Sequence, residues 1–372
     1  MNTYLWEDCQ LVCLRKDKKP FFFYLRTTAT HTPIVNSAQQ TKSWKEIPGP
    51  SLWDLMKQAL PGASGDLNLT DGLKLGQALY DHYGPIVKLD GFLGRPPIIL
   101  LYDPEQCAQV LRSENWLPIR SGFQSLDYYR RNKRNKGNEN QSNPDMTGLL
   151  TDHGETWKKF RSTVNPVLLQ PKTIKLYTSI IDEVAQDMIV RTSNTITASL
   201  YLLANNQDKQ DKLRAEILSI TDENQKRSYL RACVKESMRI MPVVSGNIRE
   251  ATKEYVIFGY SIPPGIGISF MHQAMSMMEE HYPRPTEFLP ERWLVKKGDP
   301  LYHGNAHPFV NQPFGFGVRS CIGRRIAELE IYTFLSRLIQ NFRVEWFGPP
   351  MQTKVASINY ITGPHNFIFK DA

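Results

Sequence analysis

Apolar residues recur at helical spacing along most of the chain, and shorter apolar runs are bounded by turn residues. The helical periodicity predicts helices over Leu73–Tyr83, Gly154–Leu169, Lys172–Val190, Thr195–Ile220, Tyr229–Met241 and from beyond Cys321 to about Asn341. The shorter runs predict strands over Ile86–Leu89, Pro97–Tyr102, Tyr255–Tyr260, Gly267–Phe270, Phe342–Trp346 and Asn366–Phe369. The pattern therefore indicates a mainly α protein with small β-sheets.

Two stretches lack this periodicity. Residues 1–45 are basic and rich in Ser and Thr, which suits a mitochondrial transit peptide, although Glu7, Asp8 and Asp17 are unusual in one. A disordered leader is the alternative. The rigid Pro-Gly-Pro segment that follows opens the predicted domain, residues 46–372. The second stretch, from Pro118 to Thr147, is predicted to be an irregular loop.

Composition narrows the kinds of partner. The 372 residues are 41% hydrophobic with a net charge of +8. No basic run is interleaved with aromatic residues, so we expect no nucleic acid. An acidic protein partner or peripheral association with an anionic membrane fits the charge. Five scattered cysteines indicate a reducing compartment. The sequence has no run of about twenty apolar residues, so it predicts no membrane-spanning helix.

One cysteine lies in a glycine-punctuated turn immediately before a predicted helix. The segment Pro313–Glu330 reads PFGFGVRSCIGRRIAELE. Glycine adopts turns that a side chain forbids, so we expect the loop to turn at Gly315, Gly317 and Gly323 and to aim backbone N–H groups at Cys321. Those donors and the N-terminal end of the helix favour a thiolate. An ordinary loop with a buried cysteine is the alternative.

The intact string Phe-Gly-x-Gly-x-Arg-x-Cys-x-Gly resembles the cysteine loop of cytochromes P450, the haem-thiolate monooxygenases. The resemblance implies that Cys321 is the axial ligand of haem b, with Phe314 and Gly323 in the cofactor-binding loop. It also implies that O2 and a small lipophilic substrate are the reactants. Surviving candidates for the substrate pocket are Val243, Val244, Ile361 and Thr362.

The resemblance further assigns haem-propionate contacts to four residues. Trp157 and Arg161 are four residues apart on one helix face, and the family places such a pair over one haem edge. Arg249 and Arg319 match two further propionate positions. Without the resemblance, Trp157 is a packing residue and Arg161 and Arg249 are solvated surface residues.

A buried structural network is also implied. Glu236 and Arg239 form a Glu-x-x-Arg pair, which alone is common on surface helices. In the family this pair binds an arginine from a later loop, which here is Arg292 in Pro-Glu-Arg-Trp. We therefore expect the three side chains to brace the core behind the cysteine loop.

Several details resemble the mitochondrial class of animal, particularly insect, cytochromes P450. Arg231 and Lys235 share one face of their predicted helix, and Arg324 and Arg325 follow the cysteine. In that class such residues meet an acidic ferredoxin, the electron donor, at the matrix side of the mitochondrial inner membrane. A solvated basic face is the alternative.

One block of the family pattern is absent. In the family, a long central helix crosses the oxygen side of the haem and carries a motif with an acid and a threonine. The segment from Thr192 to Ala198 resembles the sequence just after that motif, whose acid and first threonine would fall at Val190 and Arg191. We therefore predict an internal deletion near residues 190–192, on the order of a hundred residues judged against ordinary lengths for this architecture. Thr192 is the one weak catalytic candidate. The chain is then a monooxygenase, a haem-binding remnant without turnover, or a protein that only sequesters ferredoxin.

Overall fold

The computed structural model describes residues 41–51, 53–55, 72–91, 96–121, 123–134, 147–170, 181–219, 227–355 and 358–372. The helices found there are Gly72–Tyr83 (α1), Pro104–Arg112 (α2), Gln124–Tyr129 (α3), Gly154–Leu168 (α4), Ile181–Ala204 (α5), Gln207–Ser219 (α6), Ser228–Ile240 (α7), His272–Ser276 (α8) and Arg324–Asn341 (α9). The strands are Lys42–Ser43 (β1), Ile86–Leu89 (β2), Ile98–Leu101 (β3), Asn247–Glu250 (β4), Tyr255–Ile257 (β5), Tyr260–Ile262 (β6), Gly267–Phe270 (β7), Phe342–Trp346 (β8), Gln352–Val355 (β9), Asn359–Thr362 (β10) and Phe367–Asp371 (β11). Mainly helical structure with small sheets is therefore confirmed.

A mixed four-stranded sheet, in the order β2-β3-β7-β4, carries one core. β3 pairs with β2 and β4 with β7 in antiparallel fashion, whereas β3 and β7 are parallel. The central strands β3 and β7 are largely buried, as their continuous aliphatic runs predict. Asp103 caps α2 by accepting from the Gln106 N–H at 2.8 Å, and Pro104 occupies its first turn.

A second core is helical and lies beneath the cysteine loop. α5, α6, α7, α9 and β8 pack their apolar faces together around residues that include Leu203, Leu213, Leu230 and Leu335, all fully buried. A carboxylate stabilises the start of α7, because Glu216 accepts from the backbone N–H groups of Tyr229 at 2.7 Å and Leu230 at 2.9 Å. This core supports the helix that follows Cys321.

The helix that crosses the predicted junction differs from expectation. The predicted helices Lys172–Val190 and Thr195–Ile220 are not separated at residues 191–194, because α5 continues through these residues. The predicted helix Thr195–Ile220 instead breaks at Asn205 and Asn206, whose side-chain amides bind the carbonyls of Tyr201 and Leu202, both at 2.8 Å. These amides supplement the backbone hydrogen bonds at the end of the helix, where the Asn205 N–H also donates to the Tyr201 carbonyl at 3.1 Å. Residues 172–180 of the predicted helix Lys172–Val190 lie outside the described residues.

Two loop predictions also need correction. The segment Pro118–Thr147 contains α3, which ends in a π-helical turn where Arg131 Nε binds both carboxylate oxygens of Asp127. We also expected Asn359–Gly363 to form a turn into the pocket, but Asn359–Thr362 is strand β10, which pairs with β9. Short polar helices and edge strands carry too few buried apolar positions to produce a periodic signal.

Two residues on the N-terminal side of the predicted boundary at residue 45 belong to a sheet. Lys42 and Ser43 pair in parallel with Tyr260 and Ser261 of β6. Ser43 then starts a 3-10 turn with a capping box, in which its own N–H donates to Glu46 Oε1 at 2.8 Å. Both strand residues are exposed, so no hydrophobic pattern marks them. In the part of the chain that the structure describes, no helix is long and apolar enough to cross a bilayer.

Candidate functional site

The cysteine loop is a tight turn that ends at a helix. Gly315 and Gly317 have φ angles of 70° and 69°, the left-handed region that favours glycine. The Cys321 N–H donates to the Phe314 carbonyl at 2.8 Å and closes the loop. Gly323 is the N-cap of α9 with φ of −81°, so the expectation that it needs glycine's freedom is wrong.

The loop presents the cysteine thiol outward. The Cys321 side chain is exposed, whereas Cys107 and Cys233 are buried and burial raises the pKa of each. No described residue donates a hydrogen bond to Cys321 Sγ, so the expected cup of N–H groups is not formed in this conformation. Positive charge is nevertheless close. Burial lowers the pKa of Arg161, and the negative charge of a Cys321 thiolate opposes that effect.

Guanidinium groups surround the loop from three parts of the chain. Arg120 Nη2 donates to the Arg319 carbonyl, and Arg161 Nη2 donates to the Ser320 carbonyl, both at 2.8 Å. Arg249 of β4 is directed at the loop as well, with Nη2 3.4 Å from the Phe316 carbonyl. We call Arg120, Arg161, Arg249 and Arg319 the arginine cluster.

Arg319 is the most strongly bound member of the arginine cluster. Its Nε donates to the Pro118 carbonyl at 3.0 Å and its Nη2 to the Asp152 carbonyl at 3.1 Å. Its guanidinium carbon lies 3.7 Å from the centre of the Trp157 ring. Burial, with the charges of the other three arginines, lowers the pKa of Arg319 to about 9. The cluster therefore holds more positive charge than its surroundings neutralise.

Two buried donors in this region have no hydrogen-bond partner. They are Trp157 Nε1 and Arg161 Nε, whereas Arg249 Nε lies 2.7 Å from the Glu114 carboxylate. An unsatisfied buried donor costs about 1–3 kcal/mol, so two together beside several cations indicate a place for an anionic acceptor. Carboxylate groups such as the propionates of haem match this donor set in charge and in hydrogen-bonding type.

Sequence reasoning missed two residues of this region, Glu114 and Arg120. Glu114 Oε1 lies 2.7 Å from Arg249 Nε, and the Glu114 side chain is 10% exposed. Both residues lie in the irregular segment after α2, where a single charged side chain produces no periodic signal. No motif in the sequence marked either residue.

The predicted structural network is assembled around one buried carboxylate. Glu236 accepts from Arg239 Nη2 at 2.7 Å and from Arg292 Nε at 2.9 Å, and the side chains of all three residues are fully buried. Trp293 Nε1 adds a bond of 2.8 Å to its other oxygen. Arg239 Nε also donates to Glu236 at 3.0 Å, and other guanidinium donors bind backbone carbonyls, including those of Ser276 and Pro283. The buried charges are thus paired and hydrogen-bonded.

The four predicted docking residues are all exposed. Arg231 lies over the Tyr332 ring at 5.7 Å and Lys235 over the Trp293 ring at 5.4 Å, so their charged ends are held at the surface. Arg324 and Arg325 both contact Glu328, at 2.9 and 3.5 Å. Part of the charge of this second pair is therefore neutralised within the chain.

The remaining candidates lie on the other elements that were predicted to approach the site. Thr192 is buried in α5, and two residues further on Asn194 Oδ1 accepts from the Ile361 N–H at 3.2 Å. Val243 accepts from the Asn359 N–H at 2.7 Å, which brings the start of β10 next to the segment that carries Val244. Val243, Val244, Ile361 and Thr362 are half-buried.

Comparison with known proteins agrees with these features. The family model for cytochrome P450 matches residues 189–366. "Probable cytochrome P450 12b2, mitochondrial" of Drosophila melanogaster is 28% identical over 83% of this chain and 85% of the relative. "Cytochrome P450 CYP12A2" of Musca domestica is 27% identical over 87% of this chain and 90% of the relative.

These alignments are longer than the chain itself. The Drosophila relative aligns over 468 positions and the Musca relative over 490, against the 372 residues here. Positions of the relatives therefore face gaps in this chain. The family match, the related proteins and the cysteine loop with its arginine cluster agree that this chain is similar to the cytochromes P450, the haem-containing monooxygenases.

Proposed function

We propose that this chain binds haem b through the Cys321 thiolate and is a ferredoxin-dependent, poorly coupled monooxygenase of mitochondria. The observation that carries the proposal is the exposed Cys321 thiol beside an arginine cluster that retains unsatisfied buried donors. Bound haem supplies the chemistry that activates O2 for insertion of one oxygen atom into a small lipophilic substrate.

Different residues of the chain bind the haem propionates, form the cysteine loop and support that loop. Trp157, Arg161, Arg249 and Arg319 hold the haem propionates, because their donors are buried and Trp157 and Arg161 each retain one without a partner. Phe314 and Gly323 frame the cysteine loop on either side of Cys321. Glu236, Arg239 and Arg292 fix the segment behind that loop through bonds of 2.7 to 3.0 Å.

The exposed basic face suits an acidic electron donor. Arg231 and Lys235 on α7 adjoin Tyr332 and Trp293, and Arg324 and Arg325 begin the helix that follows the cysteine. A ferredoxin would bind such a face through a small, salt-sensitive interface. Relatives whose names include "mitochondrial" support the assignment of this chain to mitochondria.

Impaired coupling follows from the sequence at the junction. The family model begins to match at residue 189, the alignments exceed the length of the chain, and α5 is continuous through residues 190–192. These observations support a missing block whose end lies there. Val190 and Arg191 then stand where the family has an acid and a threonine, and arginine cannot relay protons as a carboxylate does. Thr192 supplies a buried hydroxyl without that acid. A haem-binding protein with little or no turnover is the second candidate.

The test of the proposal is the reduced carbon-monoxide difference spectrum of the haem-reconstituted chain. We expect the thiolate-type Soret band in the wild type and its loss in Cys321→Ala, with retention in Cys107→Ala as the matched control. A thiolate-type band that persists in Cys321→Ala would exclude Cys321 as the ligand.

A further inference from the structure

Glu114 brings a carboxylate into the arginine cluster from the segment after α2. Its Oε1 lies 2.7 Å from Arg249 Nε, and the two side chains are 10% and 2% exposed. Its Oε2 lies 3.8 Å from the position that a Cβ on Gly317 would take, so the carboxylate also adjoins the cysteine loop. Glu114 therefore occupies a place between Arg249 and the turn that carries Cys321.

The charge of Glu114 acts on more than one arginine. It opposes the lowering of the pKa of both Arg249 and Arg319 by burial. The neighbouring Asp152 carboxylate is engaged elsewhere, since it accepts from the Thr147 N–H, the Thr147 hydroxyl and the Gly148 N–H. Among the residues that the structure describes around the arginine cluster, Glu114 thus supplies the carboxylate that faces it.

The ion pair between Glu114 and Arg249 is close but poorly aligned. Although Nε and Oε1 are 2.7 Å apart, neither atom makes a hydrogen bond of acceptable geometry. Burial raises the pKa of Glu114 even though Arg249, Arg319 and Arg120 lower it. A better aligned carboxylate could therefore replace Glu114 at the Arg249 guanidinium at little cost in hydrogen bonding.

We propose that Glu114 is the internal counter-ion of Arg249 and competes with a haem propionate for that guanidinium. This inference rests on the proposed haem-binding function. Glu114 neutralises Arg249 before haem binds, and its negative charge limits the attraction of the arginine cluster for the incoming dicarboxylate. Arg249 does not depend on Glu114 alone for its orientation, because Nη1 donates to the Ile248 carbonyl at 3.0 Å and Nη2 lies 3.4 Å from the Phe316 carbonyl.

The experiment compares haem with haem dimethyl ester, whose propionates carry no charge. Dissociation constants of both are measured from the Soret absorbance for the wild-type chain, Glu114→Gln and Glu114→Asp. Loss of the Glu114 charge should increase the preference for haem over the ester on the order of tenfold, the size expected for one charge near a partly buried cation. Glu114→Asp keeps the charge and should keep the wild-type preference.

Two controls separate this effect from general damage. Glu155→Gln removes an exposed carboxylate from α4, the helix that carries Trp157 and Arg161, and should leave the preference unchanged. In an Arg249→Gln background the effect of Glu114→Gln should largely disappear, because the pair that couples the two sites is gone.

The outcomes are distinct. An unchanged or reduced preference in Glu114→Gln, with haem still bound, overturns the competition and leaves the proposed function intact. Failure of the wild-type chain to bind either compound overturns the proposed function and with it this inference.

Discussion

The Arg319 guanidinium stacks on Trp157 at 3.7 Å while its N–H groups bind carbonyls of Pro118 and Asp152. One side chain thus ties the cysteine loop to helix α4 and to the two segments before it. The planar fork of arginine is needed for this, because a lysine ammonium is a compact point charge and cannot stack and bind two carbonyls at once.

We therefore expect Arg319→Lys to destabilise the chain by about 1–3 kcal/mol, the range for a buried hydrogen-bonding group that loses its partners. Urea unfolding in the absence of haem measures the change. Arg337→Lys on the exposed face of α9 is the control and should have little effect. An equally small effect of Arg319→Lys would show that the contacts of Arg319 do not hold the loop.

The network around Glu236 predicts a larger loss of stability. Glu236→Gln removes the charge that neutralises Arg239 and Arg292, both fully buried, and should reduce the free energy of unfolding by about 3–5 kcal/mol. Glu105→Gln, at a side chain that is 75% exposed, should change it by less than about 1 kcal/mol. Comparable effects of the two substitutions would contradict the structural role of the network.

The buried His272 predicts that the free energy of unfolding falls at acidic pH. Burial lowers its folded-state pKa from 6.5 to about 4, and its Nδ1 lies 3.1 Å from the Phe309 carbonyl. Because the unfolded chain takes up a proton on this residue before the folded chain does, its contribution is complete above pH 6.5 and is lost as the pH falls toward 4. The loss amounts to about 3 kcal/mol for a shift of this size.

His272→Gln should therefore flatten the fall in unfolding free energy between pH 6.5 and 4, measured by urea unfolding at several pH values. His82→Gln, on the exposed side of α1, should retain the wild-type slope. If His272→Gln follows the wild-type slope as well, the histidine does not titrate as its burial indicates.

Electron-donor binding is tested by reversing charge on the exposed face of α7. The double substitution Arg231→Glu and Lys235→Glu should weaken ferredoxin binding and flatten its dependence on ionic strength, because the attraction between the two proteins is electrostatic. Lys42→Glu with Lys253→Glu makes the same charge change beside the β1-β6-β5 sheet and should leave binding unchanged. Equal salt slopes for both double variants would place the docking surface elsewhere.

The coupling of electron consumption to product formation can be measured directly. In a system reconstituted with ferredoxin and its reductase, we expect most reducing equivalents to appear as hydrogen peroxide, because the proposed deletion leaves Val190 and Arg191 where the family has the acid and threonine that manage protons. Hydrogen peroxide formed per reducing equivalent consumed is the readout, with Cys321→Ala as the background. Tight coupling, with product near one per two electrons, would contradict the internal deletion or its consequence.

Strong local signals allowed much of this arrangement to be predicted. Helical periodicity located α1 and α7, and the resemblance to cytochromes P450 assigned Glu236, Arg239 and Arg292 to one network, whose side chains do meet. The α5 helix was divided wrongly because Arg-Thr-Ser-Asn reads as a polar loop. Burial of Thr192 and a bond from Ser199 Oγ to the Thr195 carbonyl at 2.8 Å show how such residues fit inside a helix.

Contacts made by isolated charged residues could not be predicted in the same way. Glu114 and Arg120 reach the cysteine loop from an irregular segment, and Arg120 contacts a residue 199 positions later in the chain. Long-range pairing of this kind depends on how the loops pack, which a local pattern does not encode.

The pairing of Lys42 and Ser43 with β6 limits how far the N-terminus can be trimmed. A protease that removed a leader through residue 45 would also remove the outer strand of the β1-β6-β5 sheet. The backbone donors and acceptors of Tyr260 and Ser261 would then be left as an open edge, a surface prone to pair with other chains. If residues 1–45 are a leader, as their composition predicts, a cut before Lys42 would keep strand β1, whereas a cut at residue 45 would leave the edge of β6 unpaired.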